Sequence, residues 1–349
     1  MENSDPHIVV AGAGSIGCFV GGLLAAAGRN VTLLVRPRIA AEIRTHGLTL
    51  TDLDGMARQV SADAIGIRTD PTALAGADVV LVTVKSRDTD TMAALIDSHS
   101  PRNTRVVSLQ NGVSNGAALR RLLPACDVRA GMVPFNVVPM GQGCYHRAVE
   151  GNIVIEAGAG DLAQILDVPG LTCLESREIE NVQWGKFLIN LNNALNALSG
   201  LPIQAQLKDR GWRKLLADQW SEALQVIHGH GIRPVSSTPV SVSLIPWVLR
   251  LPTVLFTRVA AAMLKIDPQA RTSMSYDLME GRFTEIEALQ GLVVEMGQTL
   301  GIATPVNALV LDVMRTAELA GEGLPRLTPL ALRRELAAAI ADQSRSERT

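Results

Sequence analysis

Residues 7–38 read HIVVAGAGSIGCFVGGLLAAAGRNVTLLVRPR, and this stretch decides the fold class. The apolar run His7–Ala11 has the pattern of a buried strand. It ends in Gly12-Ala13-Gly14-Ser15-Ile16-Gly17, and an apolar helical run from Cys18 to Ala27 follows, closed by Gly28. Val31–Val35 is a second strand of β-branched residues and leucine. A strand, a G-x-G-x-x-G turn, a helix and a strand in that order make the dinucleotide-binding βαβ unit. Gly12 allows the tight turn, Gly14 removes the Cβ that would hold a pyrophosphate off the backbone, and Gly17 lets helix and strand pack closely. The helix start at Ser15 and Ile16 offers unpaired N–H groups and a partial positive charge to phosphates. The competing reading is a glycine-rich turn in another α/β fold.

The end of the second strand bears on which dinucleotide is bound. An Asp or Glu there would hold the ribose hydroxyls of NADH. Here the strand runs Leu34-Val35-Arg36-Pro37-Arg38, with no carboxylate. Arg36 instead offers a guanidinium to a 2′-phosphate, which points to NADPH. A solvated surface charge is the alternative for Arg36. Ala77–Val84 and Thr104–Leu109 are further near-continuous apolar runs, as parallel-sheet strands are. They end at Lys85-Ser86 and at Gln110-Asn111-Gly112. Lys85 and Asn111 thus stand at the carboxyl ends of strands, where open α/β sheets bind ligands. Residues 128–157 mix Gly and Pro with β-type runs and are predicted to add edge strands.

Composition excludes several classes. The 349 residues carry 32 Lys+Arg against 34 Asp+Glu, a net charge of −2, so no basic face for nucleic acid is expected. A 47% hydrophobic content against 19% charged residues argues for packed domains rather than disorder. The first residues lack a basic segment and a cleavage signature, so no secretory signal is read. Cys18, Cys126, Cys144 and Cys173 form no C-x-x-C pair, which fits reduced thiols in the cytoplasm and indicates no metal site. His228-Gly229-His230 is read as a turn. Residues 242–264 are strongly apolar, yet Arg250, Arg258, Pro246 and Pro252 argue against a membrane span. A helical hairpin, a lid or a subunit interface is the preferred reading there.

From about Glu178 the pattern turns helical. EIENVQWGKFLINLNNALNAL, 178–198, reads as one helix carrying Lys186, Asn190, Asn192, Asn193 and Asn196. Asparagine is a poor helix former, so its density needs a reason. At about 100° per residue, Asn190 and Asn193 share a stripe with Lys186, while Asn192 and Asn196 point elsewhere. That stripe is a candidate polar site; an exposed polar face is the alternative. Farther on, Thr284-Glu285-Ile286-Glu287 fits a capping box opening a helix, with Glu285 in its first turn. Gly301 closes that helix before Pro305. The expected organisation is a Rossmann-type doubly wound sheet in an N-terminal domain (1–177), an all-helical C-terminal domain (178–337), and a frayed tail (338–349).

In order, GAGSIG, a strand ending VTVKS, QNG, W-G-K-x-x-x-N, S-M-x-x-D and G-R-x-T-E-I-E resemble the ketopantoate reductase (2-dehydropantoate 2-reductase) family over residues 7–316. The resemblance implies a Rossmann domain joined to a helical domain, with the active site in the cleft between them. It implies reduction of 2-dehydropantoate to pantoate by NADPH, a step in pantothenate and coenzyme A biosynthesis. By the same resemblance Gly12, Gly14 and Gly17 hold the pyrophosphate and Arg36 the 2′-phosphate. Lys85 and Asn111 match positions near cofactor and substrate. Lys186 matches the general acid, Asn190 an amide that binds substrate, Ser273 a contact to the substrate, and Glu285 an acid lining the site. The family often has a second asparagine, followed by proline, eight residues after the lysine; here Ala194-Leu195 stand there, and Asn193 is the candidate substitute. The apolar segment 235–268 is longer than a minimal member needs, and is a candidate for reshaping the substrate site or for a homodimer interface. Two other functions stay open: reduction of a different 2-keto acid, and a non-catalytic NADPH sensor. A sensor has no need of a proton donor such as Lys186.

Overall fold

The computed structural model describes residues 5–236, 240–261 and 267–346. The chain divides into two compact units after Gln183. This lies slightly beyond the boundary read at 177/178, for a local reason. Ile179 packs with Ala130 and Met132, and the Gln183 amide donates to the Gly131 carbonyl at 2.9 Å.

The described residues of the first unit form twelve strands: β1 (Ile8–Ala11), β2 (Val31–Leu34), β3 (Leu48–Asp52), β4 (Ala57–Val60), β5 (Gly66–Arg68), β6 (Val79–Val82), β7 (Arg105–Ser108), β8 (Asp127–Met132), β9 (Val137–Gly141), β10 (Cys144–Arg147), β11 (Ile153–Glu156) and β12 (Cys173–Ser176). Eight of them form one sheet in the order β12-β11-β8-β7-β6-β1-β2-β5. The strands from β8 to β5 in that order all run parallel, and β11 pairs antiparallel with β8. Every residue of β1 and β6 is buried, as strands covered on both faces must be. Side chains alternate between two apolar layers. Ile8 and Val10 meet Phe19, Leu23 and Leu24 of α1 (Ser15–Ala26). Val9 and Ala11 meet Met92 and Ile96 of α3 (Thr89–His99) and Leu119 of α4 (Asn115–Leu122). Helices on both faces make the sheet doubly wound. α2 (Pro37–His46) follows β2 directly. α5 (Leu162–Leu166) precedes β12.

A second sheet, β4-β3-β10-β9, was not foreseen. Of the edge strands expected within 128–157, β8 and β11 join the large sheet, whereas β9 and β10 leave it. β10 lies parallel to β3, with Cys144 opposite Thr49. Arg147 of β10 bonds Asp52 of β3 at 2.7 Å and lies over the rings of Phe19 and Phe135, about 5.5 Å away from each.

The second unit is helical: α6 (Ile179–Asn190, whose first turns belong to the first unit), α7 (Asn192–Ser199), α8 (Ile203–Lys208), α9 (Arg210–Gly229), α10 (Ile245–Arg250), α11 (Thr253–Val259), α12 (Ser273–Met279), a π-helical turn at Glu287–Gly291, α13 (Leu292–Leu300), α14 (Pro305–Ala320) and α15 (Pro329–Ser346). Three expectations are corrected. The single helix over 178–198 is two, interrupted at Leu191. Glu287 does not close a capping box, because Arg315 takes its carboxylate in two bonds of 2.6 and 2.8 Å; the N–H and hydroxyl of Thr284 both donate to Glu318 instead. The tail is helical through Ser346, since the alanine-rich run after residue 337 favours helix over fraying; residues 347–349 lie outside the described residues. Gly301 does end α13, in the left-handed conformation at φ 65°.

Within the apolar segment, residues 237–239 and 262–266 lie outside the described residues. Pro246 opens α10 and Pro252 precedes α11, so two short helices replace one long one. No helix among the described residues is long and apolar enough to cross a membrane. The buried Arg213 of α9 anchors both. Its guanidinium donates to the carbonyls of Leu207, Lys208, Leu249 and Leu251 at 2.9–3.1 Å, and sits 4.3 Å from the Phe256 ring centroid.

Candidate active site

In the first unit the glycine turn joins β1 to α1, and its glycines have different reasons to be there. Gly12 has φ +80°, and a Cβ on it would lie 2.1 Å from Val84 Cγ1. A Cβ on Gly17 would meet Thr83 Oγ1 at 2.5 Å and Val10 Cγ1 at 2.9 Å. These two serve the turn and the packing. Gly14 differs: a Cβ there meets nothing within 4 Å. Its lack of a side chain therefore serves what approaches from outside. It is also the N-cap of α1, makes no side-chain capping bond, and no acidic residue stands in the first turn, which begins Ser15-Ile16. That is a helix start with donors and partial positive charge to offer an anion.

The sheet order sets the neighbours of this turn. Between β6 and β1 the chain order reverses, the switch point where ligands bind beyond strand ends. Thr83 Oγ1 donates to the Gly12 carbonyl at 3.2 Å, and the half-buried Lys85 follows two residues later. Asn111 is exposed beyond the end of β7. Its carbonyl accepts from Ser86 Oγ at 3.1 Å and from Asn115 Nδ2 at 2.6 Å. Behind it, Gln110 donates to the Val84 carbonyl and to Thr89 Oγ1, and Thr89 donates to Asn115 Oδ1. So the loops bearing Lys85 and Asn111 are tied together by buried Gln110, Thr89 and Asn115. Sequence reasoning missed these three; the QN pair after an apolar strand was the available signal. Arg36 is exposed at the other side of β1, past the end of β2, as N-cap of α2.

In the second unit Lys186 lies on α6, half-buried, with buried Asn190 one turn later. A Cβ on Gly185 would lie 1.8 Å from the Val235 carbonyl oxygen, so the glycine of W-G-K lets this segment cross the helix beside the lysine. Burial pulls the Lys186 ammonium down from 10.5 to about 8. The break at Leu191 changes the stripe arithmetic, because Asn193 belongs to α7 rather than to a continuation of α6. Buried Gln290, in the π-helical turn, donates to the Leu191 carbonyl at 2.9 Å. This bond joins the segment that carries half-buried Glu285 to the α6–α7 break. The Asn193 carbonyl accepts from Thr272 Oγ1 at 3.0 Å, and exposed Ser273 is the next residue. Asn192 and Asn196 bond Gln206, at 2.9 Å and 3.0 Å, which explains the asparagines that do not share the stripe. Among the described residues no group of His, Cys, Asp and Glu could hold a metal ion.

Two family models cover most of the chain: Ketopantoate reductase PanE/ApbA matches residues 8–160, and its C-terminal counterpart matches 178–318. The chain belongs to the ketopantoate reductase family. It is therefore an enzyme of the oxidoreductase class. A 2-dehydropantoate 2-reductase of Halobacterium salinarum is 29% identical over 321 residues, 89% of this chain and 99% of that protein. A PanE/ApbA family ketopantoate reductase from Ralstonia eutropha JMP134 is 30% identical, with a TM-score of 0.77 over 90% of this chain and 99% of its own. A D-mandelate dehydrogenase solved with NADH and anilino(oxo)acetate shares the fold, with a TM-score of 0.72 at 20% identity over 90% and 99% of the two chains.

Proposed function

We propose that this ketopantoate reductase family member reduces 2-dehydropantoate to pantoate with NADPH. Residues 1–177 hold the cofactor and 178–337 carry the substrate groups. The observation that carries the reading is Lys186: a desolvated amine with a value near 8, a helical turn from a buried amide. A proton donor works best when its pKa lies near the operating pH.

The residues of the first unit fit a dinucleotide. Gly14 leaves its surroundings open and α1 presents an uncapped start. Gly12, Gly14, Ser15, Ile16 and Gly17 would hold the pyrophosphate, Arg36 the 2′-phosphate, and Lys85 and Asn111 the remainder. When bound, the nicotinamide supplies the hydride for the keto carbon. Lys186 holds the proton that the developing alkoxide takes, and its charge stabilises that oxygen before transfer. Asn190, Asn193 and Ser273 bind and orient the keto acid. Glu285 is the acid that lines the site.

The test is steady-state NADPH oxidation against a panel of 2-keto acids. Turnover fastest on 2-dehydropantoate supports the reading. Faster turnover of another keto acid would reassign the substrate, and no turnover with NADPH bound would leave a sensor. Lys186→Ala should lower kcat by ~10²–10⁴ with the KM for NADPH nearly unchanged. Arg36→Glu should shift preference towards NADH. We further propose that copies pair through the helical unit, supported by exposed Leu244, Trp247, Val254, Leu255 and Val259 on and beside α10 and α11; Trp247→Ser should lower the sedimentation mass if so. A cytoplasmic setting belongs to the same reading, supported by four free cysteines.

A further inference from the structure

Asn196 stands inside α7 with no exposed surface. An asparagine in a helix interior is a poor choice unless its amide is needed, and a buried amide is costly unless satisfied. Here all of its capacity is used. Nδ2 donates to the Leu201 carbonyl at 2.9 Å and to Gln206 Oε1 at 3.0 Å. Oδ1 accepts from the Thr272 N–H at 3.1 Å and from Ser275 Oγ at 2.9 Å. A carbonyl can only accept and a backbone N–H can only donate, so the amide has one orientation that works.

The two groups taken by Oδ1 flank Ser273. Thr272 is the N-cap of α12 and Ser275 lies in its first turn. Their polar groups also meet each other, Oγ1 to Oγ at 3.2 Å, and Thr272 Oγ1 reaches the Asn193 carbonyl. Met274 and Ser275 turn inward and are buried, whereas Ser273 stays exposed. One buried amide on α7 thus fixes the start of α12 from both sides of Ser273.

We infer that Asn196 is a positioning residue that sets the Ser273 hydroxyl against Asn193 for binding the keto acid. The inference rests on the reading above that Ser273 contacts the substrate. Asn196 touches no reactant, so its loss should act on substrate affinity through Ser273 rather than on the proton donor.

The experiment measures KM for 2-dehydropantoate, KM for NADPH and kcat in Asn196→Asp, Ser275→Ala and Ser273→Ala. Asn196→Asp keeps the shape and removes both donors; Ser275→Ala removes one acceptor-side bond and is the milder change if the first variant does not fold. Both are expected to raise the keto-acid KM about 10-fold, within the cost of a sub-ångström misplacement, with kcat and the NADPH KM within about 3-fold of the parent. Ser273→Ala should raise the same KM at least as much. If Ser273→Ala raises it and Ser275→Ala and every folded Asn196 variant leave it alone, the inference is overturned and the reading of Ser273 stands. If Ser273→Ala leaves it alone, the reading of Ser273 falls, and the inference with it. Equal losses in both KM values and in kcat would mark a general structural role and also overturn it.

Discussion

Replacing Lys186 by Met removes the amine and keeps an unbranched chain that packs against apolar neighbours. The ammonium is held at about 8 inside the folded protein, against 10.5 ordinarily. Between those values the unfolded chain binds more protons than the folded one, so the parent gains stability as pH rises across the window. Below pH 8 the cost of the buried charge is present in full, about 3 kcal/mol. At about pH 10 the folded protein carries the neutral amine while the unfolded chain, just below its own value of 10.5, is still mostly charged, and the cost falls below about 1 kcal/mol. The variant has no such group to titrate. Its stability relative to the parent should therefore drop by about 2 kcal/mol between pH 7 and pH 10. Other contacts of the amine largely cancel in that difference. Denaturant titrations of both proteins at the two pH values read it directly, and melting should follow with a relative shift of roughly 4–8 °C for a unit of this size. The same titration governs turnover: kcat of the parent should fall as pH rises through about 8, and Lys186→Arg should lose activity without that limb. A constant stability difference from pH 7 to pH 10 would mean that the amine is not desolvated, and the reasoning for it as a tuned acid would fail.

Gly14→Ala should fold like the parent, since its added methyl meets no neighbour within 4 Å, yet raise the KM for NADPH at least 10-fold. Gly12→Ala should instead lower the melting temperature, because φ +80° and Val84 at 2.1 Å both oppose a Cβ. Arg213→Met should cost about 3 kcal/mol in denaturant titration, by leaving the Leu207, Lys208, Leu249 and Leu251 carbonyls unpaired. Glu222→Ala should destabilise by about 2 kcal/mol, because its carboxylate accepts from the Val306 and Asn307 N–H groups that open α14.

The βαβ unit is legible in the sequence because everything that makes it is local. The strand, the glycine spacing and the helix lie within a few dozen residues, and each glycine answers to a neighbour the pattern already implies. The second sheet is not legible for the opposite reason. β3 and β10 pair across nearly a hundred residues, and neither run alone is apolar enough to announce a buried strand. The break at Leu191 has the same origin. Gln290 donates to the carbonyl there, and nothing in 178–198 encodes a partner a hundred residues downstream. The capping box fails likewise, because Arg315 outbids the local partner for Glu287 with a bidentate, charge-assisted pair.

The candidate site divides along the same line. Lys186 and Asn190 are visible as residue types on one helical stripe, and Ser273 and Glu285 through the S-M-x-x-D and G-R-x-T-E-I-E motifs that resemble the family. The groups that brace the candidate loops and helices, Gln110 and Asn115 in the first unit and Asn196, Gln206, Thr272 and Gln290 in the second, are ordinary polar residues whose meaning is given only by a distant partner. Yet their cost is visible. The stretch 190–196, with four asparagines, pays in helix propensity, and a folded protein keeps such residues where a satisfied amide returns more than the helix loses. Two of the four, Asn192 and Asn196, answer to Gln206 and to the start of α12 rather than to substrate. Poor helix formers inside a strongly apolar helix are thus a signal for positioning as much as for contact with a ligand, and the hydrogen-bond partners of the side chain separate the two. Asn196 is sealed and fully bonded, whereas Lys186 and Asn193 keep exposed surface.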